Sequence, residues 1–188
     1  MARAQPDLFE SHPAGLRVAE EFITPGEERR LLDHAAVLPF QPFQFHGWTG
    51  NRETVSFGWR YDFSQARIEP APPIPPFLLP LRERAAQFAG LAPAAFEQAL
   101  VIRYEVGAGI GWHRDRPVFD QVFGLSLMNA CVLRFRRRLA RGFERFSLDA
   151  APRSAYLLTG GIRHDWEHSI APVTVPRLSI TFRSRAGG

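Results

Sequence analysis

The chain has 188 residues, of which 45% are apolar and 22% charged, and it carries a formal net charge of +4 at pH 7. These values predict one globular domain that can bury a full hydrophobic core. All 23 basic residues are arginine, which excludes a phosphate-loop lysine and a Schiff-base lysine. The lone cysteine excludes an intrachain disulfide and a cysteine-rich zinc site.

Segments that would direct the chain to a membrane or out of the cell are not recognisable. There is no run of about 18 apolar residues, as a membrane-spanning helix requires. The first residues lack the apolar core of a signal peptide. We therefore expect a cytoplasmic protein without a membrane partner, and a monomer. The excess of arginine permits an anionic partner such as nucleic acid, but it is also common on ordinary solvated surfaces.

The N-terminal half predicts two helices and a short strand. Residues 1–15 are expected to form a flexible arm, and residues 16–23 a first strand. The sequence Thr-Pro-Gly-Glu-Glu at 24–28 is typical of a helix start, with threonine as N-cap and proline in the first turn. A second, amphipathic helix is predicted over 78–89, after a proline-rich extended connector at 69–76.

The segment between the two helices, residues 40–63, is rich in aromatic residues. From Phe57 onward the aromatic residues alternate, so Phe57, Trp59 and Tyr61 are predicted to lie on one face of a strand. The C-terminal half predicts eight short strands in an unbroken run, which is typical of a closed or two-sheet unit such as a jelly roll. The predicted strands are 99–105, 110–115, 122–128, 131–137, 143–148, 154–159, 163–169 and 175–183.

These elements predict a mainly β protein with N-terminal helices, of the α+β class. We expect a single domain over residues 16–188. Residues 16–96 would form a helical and aromatic layer, and residues 97–185 a jelly-roll core of the double-stranded β-helix type.

A candidate metal site begins in the predicted strand around residue 113. Residues i and i+2 of a strand share a face, so His113 and Asp115 should point the same way. A third ligand must come from downstream, where His164 and His168 have the same strand parity. Two histidines and one carboxylate with open positions are typical of non-haem Fe(II) oxygenases. Zinc also accepts these ligands.

The last predicted strand carries a row of polar side chains. Arg177, Ser179, Thr181 and Arg183 fall on one face, and the residues between them are apolar. Buried arginines without a partner are costly. Arginine can bind a carboxylate through two parallel hydrogen bonds, so the row predicts an anion site. The alternative is a half-exposed edge strand with a polar outer face.

Taken together, these motifs resemble the AlkB-type Fe(II)/2-oxoglutarate dioxygenases over roughly residues 97–183. The matching pattern is Tyr104-x-x-Gly107-x-x-Ile110-x-x-His113-x-Asp115, then His168, then Arg177-x-Ser179-x-Thr181-Phe182-Arg183. The segment Arg52-x-Thr54-x-x-Phe57-Gly58-x-x-Tyr61 resembles the substrate lid of the family. Trp166-Glu167-His168, followed by Ile170 and Pro172, matches the family better than His164 does.

The resemblance implies a role for each matching residue. It implies that His113, Asp115 and His168 bind Fe(II). Arg177 would pair with the distal carboxylate of 2-oxoglutarate, helped by Ser179 and the hydroxyl of Tyr104. Arg183 would lie near the other end of this co-substrate. Phe57, Trp59 and Tyr61 would stack on a flipped base. One position departs from the family: Ile102 stands where many members carry an asparagine that holds the keto-acid end of 2-oxoglutarate.

The activity implied is hydroxylation of an alkyl group with dioxygen, in which 2-oxoglutarate becomes succinate and carbon dioxide. On an N-alkylated nucleobase of DNA or RNA, hydroxylation of a methyl group would release formaldehyde and the bare nitrogen. The same chemistry on a methylated protein or a small molecule is an alternative. A second alternative is a non-catalytic jelly-roll module that binds an anion or nucleic acid, which Ile102 favours. A zinc hydrolase is a third.

A cluster of arginines lies between residues 134 and 145. On a strand, Arg134, Arg136 and Arg138 share a face, and such stripes contact phosphates without reading base sequence. The alternative is a solvated hairpin.

Overall fold

The computed structural model describes residues 12–45, 48–62 and 65–187, so most of the predicted arm lies outside the described residues. The strands are β1 (Leu16–Ala19), β2 (Gln41–Phe45), β3 (Trp48–Phe57), β4 (Trp59–Asp62), β5 (Arg67–Pro70), β6 (Phe96–Tyr104), β7 (Ile110–His113), β8 (Phe119–Leu127), β9 (Cys131–Arg138), β10 (Phe143–Ala150), β11 (Ala155–Leu158), β12 (Glu167–Ile170) and β13 (Arg177–Arg185). The helices are α1 (Pro25–Ala36), α2 (Leu79–Ala89) and α3 (Gly160–His164).

Helix α1 begins at the predicted cap. The Thr24 hydroxyl accepts a hydrogen bond from the backbone N–H of Glu27 at 3.2 Å, and the Glu27 carboxylate accepts one from the Thr24 N–H at 2.8 Å. This reciprocal pair is a capping box, which satisfies donors that the first turn leaves free. Helix α2 ends at Gly90, whose φ of 73° suits glycine. No helix in the described part of the chain has the length and apolar character needed to cross a bilayer.

The strands form two main antiparallel sheets. One has seven strands in the order β1-β11-β8-β13-β6-β3-β2, and the other has four in the order β10-β9-β12-β7. Apolar residues of both sheets, among them Tyr104, Phe135 and Ile170, form one core cluster between them. Helices α1 and α2 pack on the opposite face of the larger sheet and share a second core cluster with residues such as Phe123 and Phe182. The predicted mainly β jelly roll is confirmed.

Strand β13 lies in the middle of the larger sheet, between β8 and β6. Its apolar residues Leu178, Ile180 and Phe182 belong to the helix-side core. Its polar residues alternate with them as predicted, and Arg177 and Ser179 are buried. The alternative of a half-exposed edge strand is therefore wrong, because both edges of β13 are hydrogen-bonded to neighbours.

Three predicted strands differ clearly from the structure. The first, predicted over 16–23, ends at Ala19. Residues 163 and 164 of the predicted strand 163–169 belong to helix α3, and β12 begins only at Glu167. Tertiary contacts account for the helix here, since the buried Arg163 on α3 donates hydrogen bonds to the backbone carbonyls of Arg116 and Phe119. The predicted strand 110–115 ends at His113, so Asp115 lies in the loop that follows.

The aromatic segment does not form one continuous strand. Gly58 separates β3 from β4 with a φ of 75°, which few residues other than glycine adopt. It exchanges hydrogen bonds with Pro72 and Ala71, and a Cβ here would collide with the carbonyl oxygen of Glu97. The alternation of side chains is therefore interrupted after Phe57.

Candidate metal and co-substrate site

Two histidines face each other across the smaller sheet. His113 at the end of β7 is the register partner of His168 on β12, and their ring centroids are 4.2 Å apart. The His168 ring also lies 6.1 Å from the ring of the core residue Phe135. Both imidazoles therefore point to the inside of the jelly roll.

Asp115 completes a group of three ligand atoms that lie within 4.8 Å of one another. The loop after β7 brings the Asp115 Oδ1 atom to 3.9 Å from His113 Nε2. His113 Nδ1 lies 2.9 Å from the carbonyl oxygen of Gly111, so an N–H at Nδ1 donates to that carbonyl and Nε2 is left with a lone pair for a metal. Within the described residues, this is the one His, Cys, Asp and Glu cluster with ligand spacing.

The charges around this cluster favour metal binding. Burial alone would raise the pKa of Asp115, but the positive charge of Arg183, with smaller contributions from His168, His113 and Arg163, lowers it well below the ordinary range. The side chain is therefore an anionic carboxylate. Burial lowers the pKa of His168 to about 3, and the neighbouring His113 adds to the effect. A neutral imidazole and a carboxylate are the protonation states that metal ligands require.

Arg163 positions the Asp115 loop, a role that none of the sequence motifs predicted. Its guanidinium is 3% exposed and donates to the backbone oxygens of Asp115 at 3.3 Å and Arg116 at 2.8 Å, and to that of Phe119. The sequence does contain one indication of this role: Arg163 lies in a predicted core strand, and an arginine buried there needs hydrogen-bond acceptors.

The rival ligand His164 does not join the cluster. It lies on α3, is exposed, and its Nε2 is 3.3 Å from Asp120 Oδ1. The shared strand parity with His168 does not hold, because the residues around His164 are helical.

A buried guanidinium lies deeper in the jelly roll. Arg177 is 1% exposed, and its Nη2 donates to the Ser126 hydroxyl at 3.2 Å. The guanidinium carbon is 5.0 Å from the ring centroid of Tyr104, its register partner on β6. Within the described chain, Nε and Nη1 have no hydrogen-bond partner. A buried cation with two free donors is costly, so this position is suited to an anion that accepts two parallel hydrogen bonds.

The sequence profile of the 2OG-Fe(II) oxygenase superfamily matches residues 16–183. The chain belongs to this superfamily. It is therefore an oxidoreductase, and the cofactors of the superfamily are Fe(II), 2-oxoglutarate and dioxygen. This membership favours the enzyme over the non-catalytic module and the zinc hydrolase.

Relatives of this oxygenase include AlkB-type proteins. It is 29% identical over 182 residues to the "Alkylated DNA repair protein ALKBH8 homolog" of Arabidopsis thaliana, covering 83% of this chain and 50% of the relative. It is 27% identical over 170 residues to the "tRNA (carboxymethyluridine(34)-5-O)-methyltransferase ALKBH8" of Mus musculus, covering 87% and 25%. The chain thus spans half the length of the first relative and a quarter of the second.

Solved structures share the fold of this oxygenase. The structure of OsALKBH1 superposes with a TM-score of 0.70 at 14% identity, covering 91% of this chain and 97% of that one. A Pseudomonas putida prolyl-4-hydroxylase superposes with a TM-score of 0.60 at 15% identity, covering 92% and 94%. The resemblance to AlkB-type oxygenases is confirmed, and with it the double-stranded β-helix.

The residues of this oxygenase fit its cofactors. The His-Asp-His cluster has the residue types and the spacing that a non-haem Fe(II) site with open positions would need. The two unpaired donors of Arg177 suit the distal carboxylate of 2-oxoglutarate. Ser179 is buried two residues further along the same face of β13. Ile102, the departure from the family, is 6% exposed and is in register with Ser179 on β13 and Thr54 on β3.

Arg183 connects the His-Asp-His cluster to the larger sheet. Its Nε donates to Asp115 Oδ2 at 3.2 Å, and its Nη1 donates to the Gln98 side-chain oxygen at 3.2 Å. The Gln98 amide nitrogen in turn donates to the Trp59 carbonyl at 3.0 Å. None of the sequence motifs included Gln98. Its position as a polar residue within the largely apolar β6 nevertheless indicates that its amide has buried partners.

A cavity of about 710 Å³ opens beside the His-Asp-His cluster. Of its described lining residues, five are arginines and one, Asp115, is acidic. The described residues that line it are Pro42, Phe43, Arg52, Thr54, Ser56, Arg60, Tyr61, Gln98, Leu100, Ile102, Ile110, Gly111, Trp112, His113, Arg114, Asp115, Arg116, Phe119 and Arg183.

The structure corrects two of the three expected base-stacking residues. Tyr61 lines the cavity, and the guanidinium carbon of Arg116 lies 4.9 Å from its ring centroid. Phe57 is 7% exposed and packs in the helix-side core. The Trp59 indole donates to Glu97 at 3.2 Å, outside the cavity. The break at Gly58 is the reason that Phe57 does not share a face with Tyr61.

Arg52 is a further cavity residue, on the segment that resembles the substrate lid. Its Nη1 donates to the carbonyl of Gly109 at 3.3 Å, and its guanidinium carbon lies 3.7 Å from the ring centroid of Phe43. These two contacts hold a half-buried cation at the wall of the cavity.

Proposed function

We propose that this oxygenase hydroxylates an alkyl group on a nucleobase of DNA or RNA, and that an N-methyl group is lost as formaldehyde. The observation that carries the proposal is the cavity beside the His-Asp-His cluster. Its flat side chains, Phe43 and Tyr61, each lie against an arginine. Such a wall suits a planar, polar ring that has left its stack. The names of the relatives, which refer to DNA repair and tRNA, also support a nucleic-acid substrate.

We assign the metal ligands to His113 Nε2, the Asp115 carboxylate and His168. When bound, Fe(II) and 2-oxoglutarate supply the oxidation of a C–H bond by dioxygen. Asp115 contributes the negative charge of the ligand set, and Arg183 keeps it oriented and deprotonated. Gly111 keeps the His113 ring in the tautomer whose Nε2 is free.

We assign the distal carboxylate of 2-oxoglutarate to Arg177, with the Ser179 and Tyr104 hydroxyls beside it. The burial of Arg177 excludes water from this ion pair, so the Coulomb attraction between the two charges is stronger than it would be at the surface. Arg183 lies closer to the His-Asp-His cluster and would contact the keto-acid end of 2-oxoglutarate. Ile102 offers no hydrogen bond to that end, so Arg183 and the metal would hold it without help from this position.

The cavity would orient the alkylated base and select it by charge. Tyr61 would stack on the base, and Arg52 would donate hydrogen bonds to carbonyl oxygens on its edge. The excess of guanidinium groups disfavours a base that is itself cationic. We therefore expect neutral alkylated bases to be better substrates than cationic ones.

The test begins with an anaerobic titration of metal-free protein with Fe(II) and then 2-oxoglutarate, followed by visible absorption. The chelate should give a charge-transfer band that is absent in His168→Ala and retained in the control His164→Ala. Alkylated single-stranded oligonucleotides are then supplied with oxygen, and succinate, formaldehyde and the base are quantified by mass spectrometry. Coupled succinate formation with methylated peptides, and none with oligonucleotides, would refute the nucleobase substrate and support the protein alternative.

A further inference from the structure

The outer face of the smaller sheet carries a set of arginines and aromatic rings that the proposed chemistry does not use. We call it the arginine–aromatic face. Its members alternate along their strands with residues that point into the jelly roll, and they are Trp112 on β7, Arg134, Arg136 and Arg138 on β9, and Phe143 and Arg145 on β10.

The guanidinium groups of this face are held against the rings. The guanidinium carbons of Arg136, Arg138 and Arg145 lie 4.6, 5.2 and 5.7 Å from the Phe143 ring centroid. Those of Arg134 and Arg136 lie 5.3 and 4.4 Å from the ring of Trp112. Cation–π contacts of this kind limit the motion of long side chains, so less conformational entropy is lost when an anion binds.

The positive charge of this face is poorly compensated. Arg145 is the direct cross-strand partner of Arg136, and like charges in that arrangement are destabilising. Glu167 pairs with Arg136 at 2.6 Å. In the part of the chain that the structure describes, Arg138 and Arg145 are exposed and form no ion pair. Asp149 lies on the same side of β10 but at its far end, beside Val132.

The arginine–aromatic face is continuous with the substrate cavity. Trp112 belongs to both, since it lines the cavity and contacts the arginines of β9. Alternate residues on a strand are about 6.6 Å apart, so Arg134, Arg136 and Arg138 form a regularly spaced cationic row, two members of which contact the cavity residue Trp112. A row of cations interleaved with aromatic rings is the chemistry with which proteins bind single-stranded nucleic acid.

We propose that the arginine–aromatic face binds the sugar–phosphate backbone of the single strand whose alkylated base enters the cavity. The inference rests on the proposed nucleobase substrate and adds the path of the flanking nucleotides. Arg138 and Arg145 contact phosphates, and Trp112 and Phe143 offer rings on which neighbouring bases stack. These contacts position the strand and do not read its sequence.

The test compares Arg138→Gln/Arg145→Gln with a matched control, Arg29→Gln/Arg30→Gln, which removes the same charge from exposed positions of α1. Protein loaded with Mn(II) and 2-oxoglutarate is titrated into fluorescently labelled single-stranded RNA and DNA, twelve or three nucleotides long, at several salt concentrations. Anisotropy reports binding, and thermal melting reports folding. The single variant Arg145→Gln replaces the double variant if the latter does not fold.

We expect the wild-type protein to bind the longer strand more tightly than the shorter one. The double variant should weaken binding of the longer strand about tenfold, lower the salt dependence by about 1.4 logarithmic units per decade for two lost phosphate contacts, and reduce the effect of strand length. The control should stay within about twofold of wild type, as expected for charges remote from the strand. The RNA and DNA arms show which backbone is preferred.

Two results would overturn the inference in distinguishable ways. If the wild-type protein binds the strands and the two double variants weaken binding equally, the arginine–aromatic face is refuted and the nucleobase substrate stands. If the wild-type protein binds neither RNA nor DNA at low salt, both the face and the nucleic-acid substrate are refuted. In that case the turnover of 2-oxoglutarate still tests the oxygenase chemistry by itself.

Discussion

The Arg183 guanidinium donates a hydrogen bond to the Asp115 carboxylate over 3.2 Å, between side chains that are 11% and 10% exposed. The two residues are 68 positions apart in the chain. Their contact ties the loop after β7 to the central strand of the larger sheet. It also compensates the burial of the Asp115 carboxylate and holds its pKa well below the ordinary range.

Arg183→Gln should lower metal affinity or turnover by about tenfold to a hundredfold, the range seen when groups that orient metal ligands are removed. The Asp115 carboxylate would lose its charged partner and its fixed orientation. Competitive titration with Mn(II) or Co(II) measures the affinity. Arg185→Gln is the matched control, because Arg185 is exposed on the same strand and pairs with Glu97 at 3.7 Å instead of with Asp115. Equal effects of the two substitutions would contradict the assignment.

Arg177→Met should separate stability from co-substrate binding. Loss of a two-bond charged contact is expected to raise the KM for 2-oxoglutarate about a hundredfold, on the order of 3 kcal/mol. The melting temperature of the metal-free protein should not fall, because the substitution removes a buried cation with two unpaired donors. An unchanged KM, measured by succinate formation, would refute the carboxylate assignment.

Ile102→Asn should restore the residue that many AlkB-type enzymes carry at this position. An amide beside Ser179 can donate to the keto-acid end of 2-oxoglutarate, so we expect a lower dissociation constant in the anaerobic titration. The buried amide should also lower the stability of the metal-free protein by roughly 1–3 kcal/mol. Ile102→Val, which keeps the site apolar, is the control. No gain in affinity over that control would show that this position does not reach the co-substrate.

Arg52→Gln should change the preference between neutral and cationic alkylated bases. Two unit charges about 6 Å apart in a partly buried site repel by a few kcal/mol, so removing Arg52 should reduce the discrimination about tenfold. The ratio of kcat/KM for oligonucleotides with a neutral or a cationic methylated base measures it. Arg60→Gln is the control, because Glu69 already pairs with Arg60 at 2.7 Å. A wild-type preference for the cationic base would contradict the charge argument.

The capping box of α1 gives a prediction for stability and its pH dependence. Thr24→Ala should lower the free energy of unfolding by about 1 kcal/mol. Hydrogen bonds from Thr24 and the charge of Arg84 lower the pKa of Glu27 below its ordinary value of 4.5. The stabilisation by Glu27 is therefore present above that value and is lost as the pH falls through the lower pKa of the folded state. Urea unfolding at pH 7 and pH 3 measures the free energy of unfolding of the wild type and of Thr24→Ala. The difference in this free energy between the two proteins should be smaller at pH 3.

Local patterns determined much of this protein. The proline after Thr24 and the two glutamates that follow predict α1, because a helix start depends on groups within one turn. The period of two in β13 predicts that Arg177 and Ser179 share a face, because that alternation is a property of the strand backbone. The spacing of His113 and Asp115 predicts that the two side chains lie together, and they do, although β7 ends at His113 and it is the following loop that brings Asp115 to 3.9 Å from His113.

Tertiary structure decided what those patterns left open. The sequence allowed either His164 or His168 as third ligand, and the buried hydrogen bonds of Arg163 make the first helical, while strand pairing places the second opposite His113. The close approach of Glu97 imposes glycine at position 58 and so separates Tyr61 from Phe57. The pairing of Arg145 with Arg136 depends on the register of β9 and β10. Each of these outcomes depends on contacts between groups remote in the chain, which neighbouring residues alone do not specify.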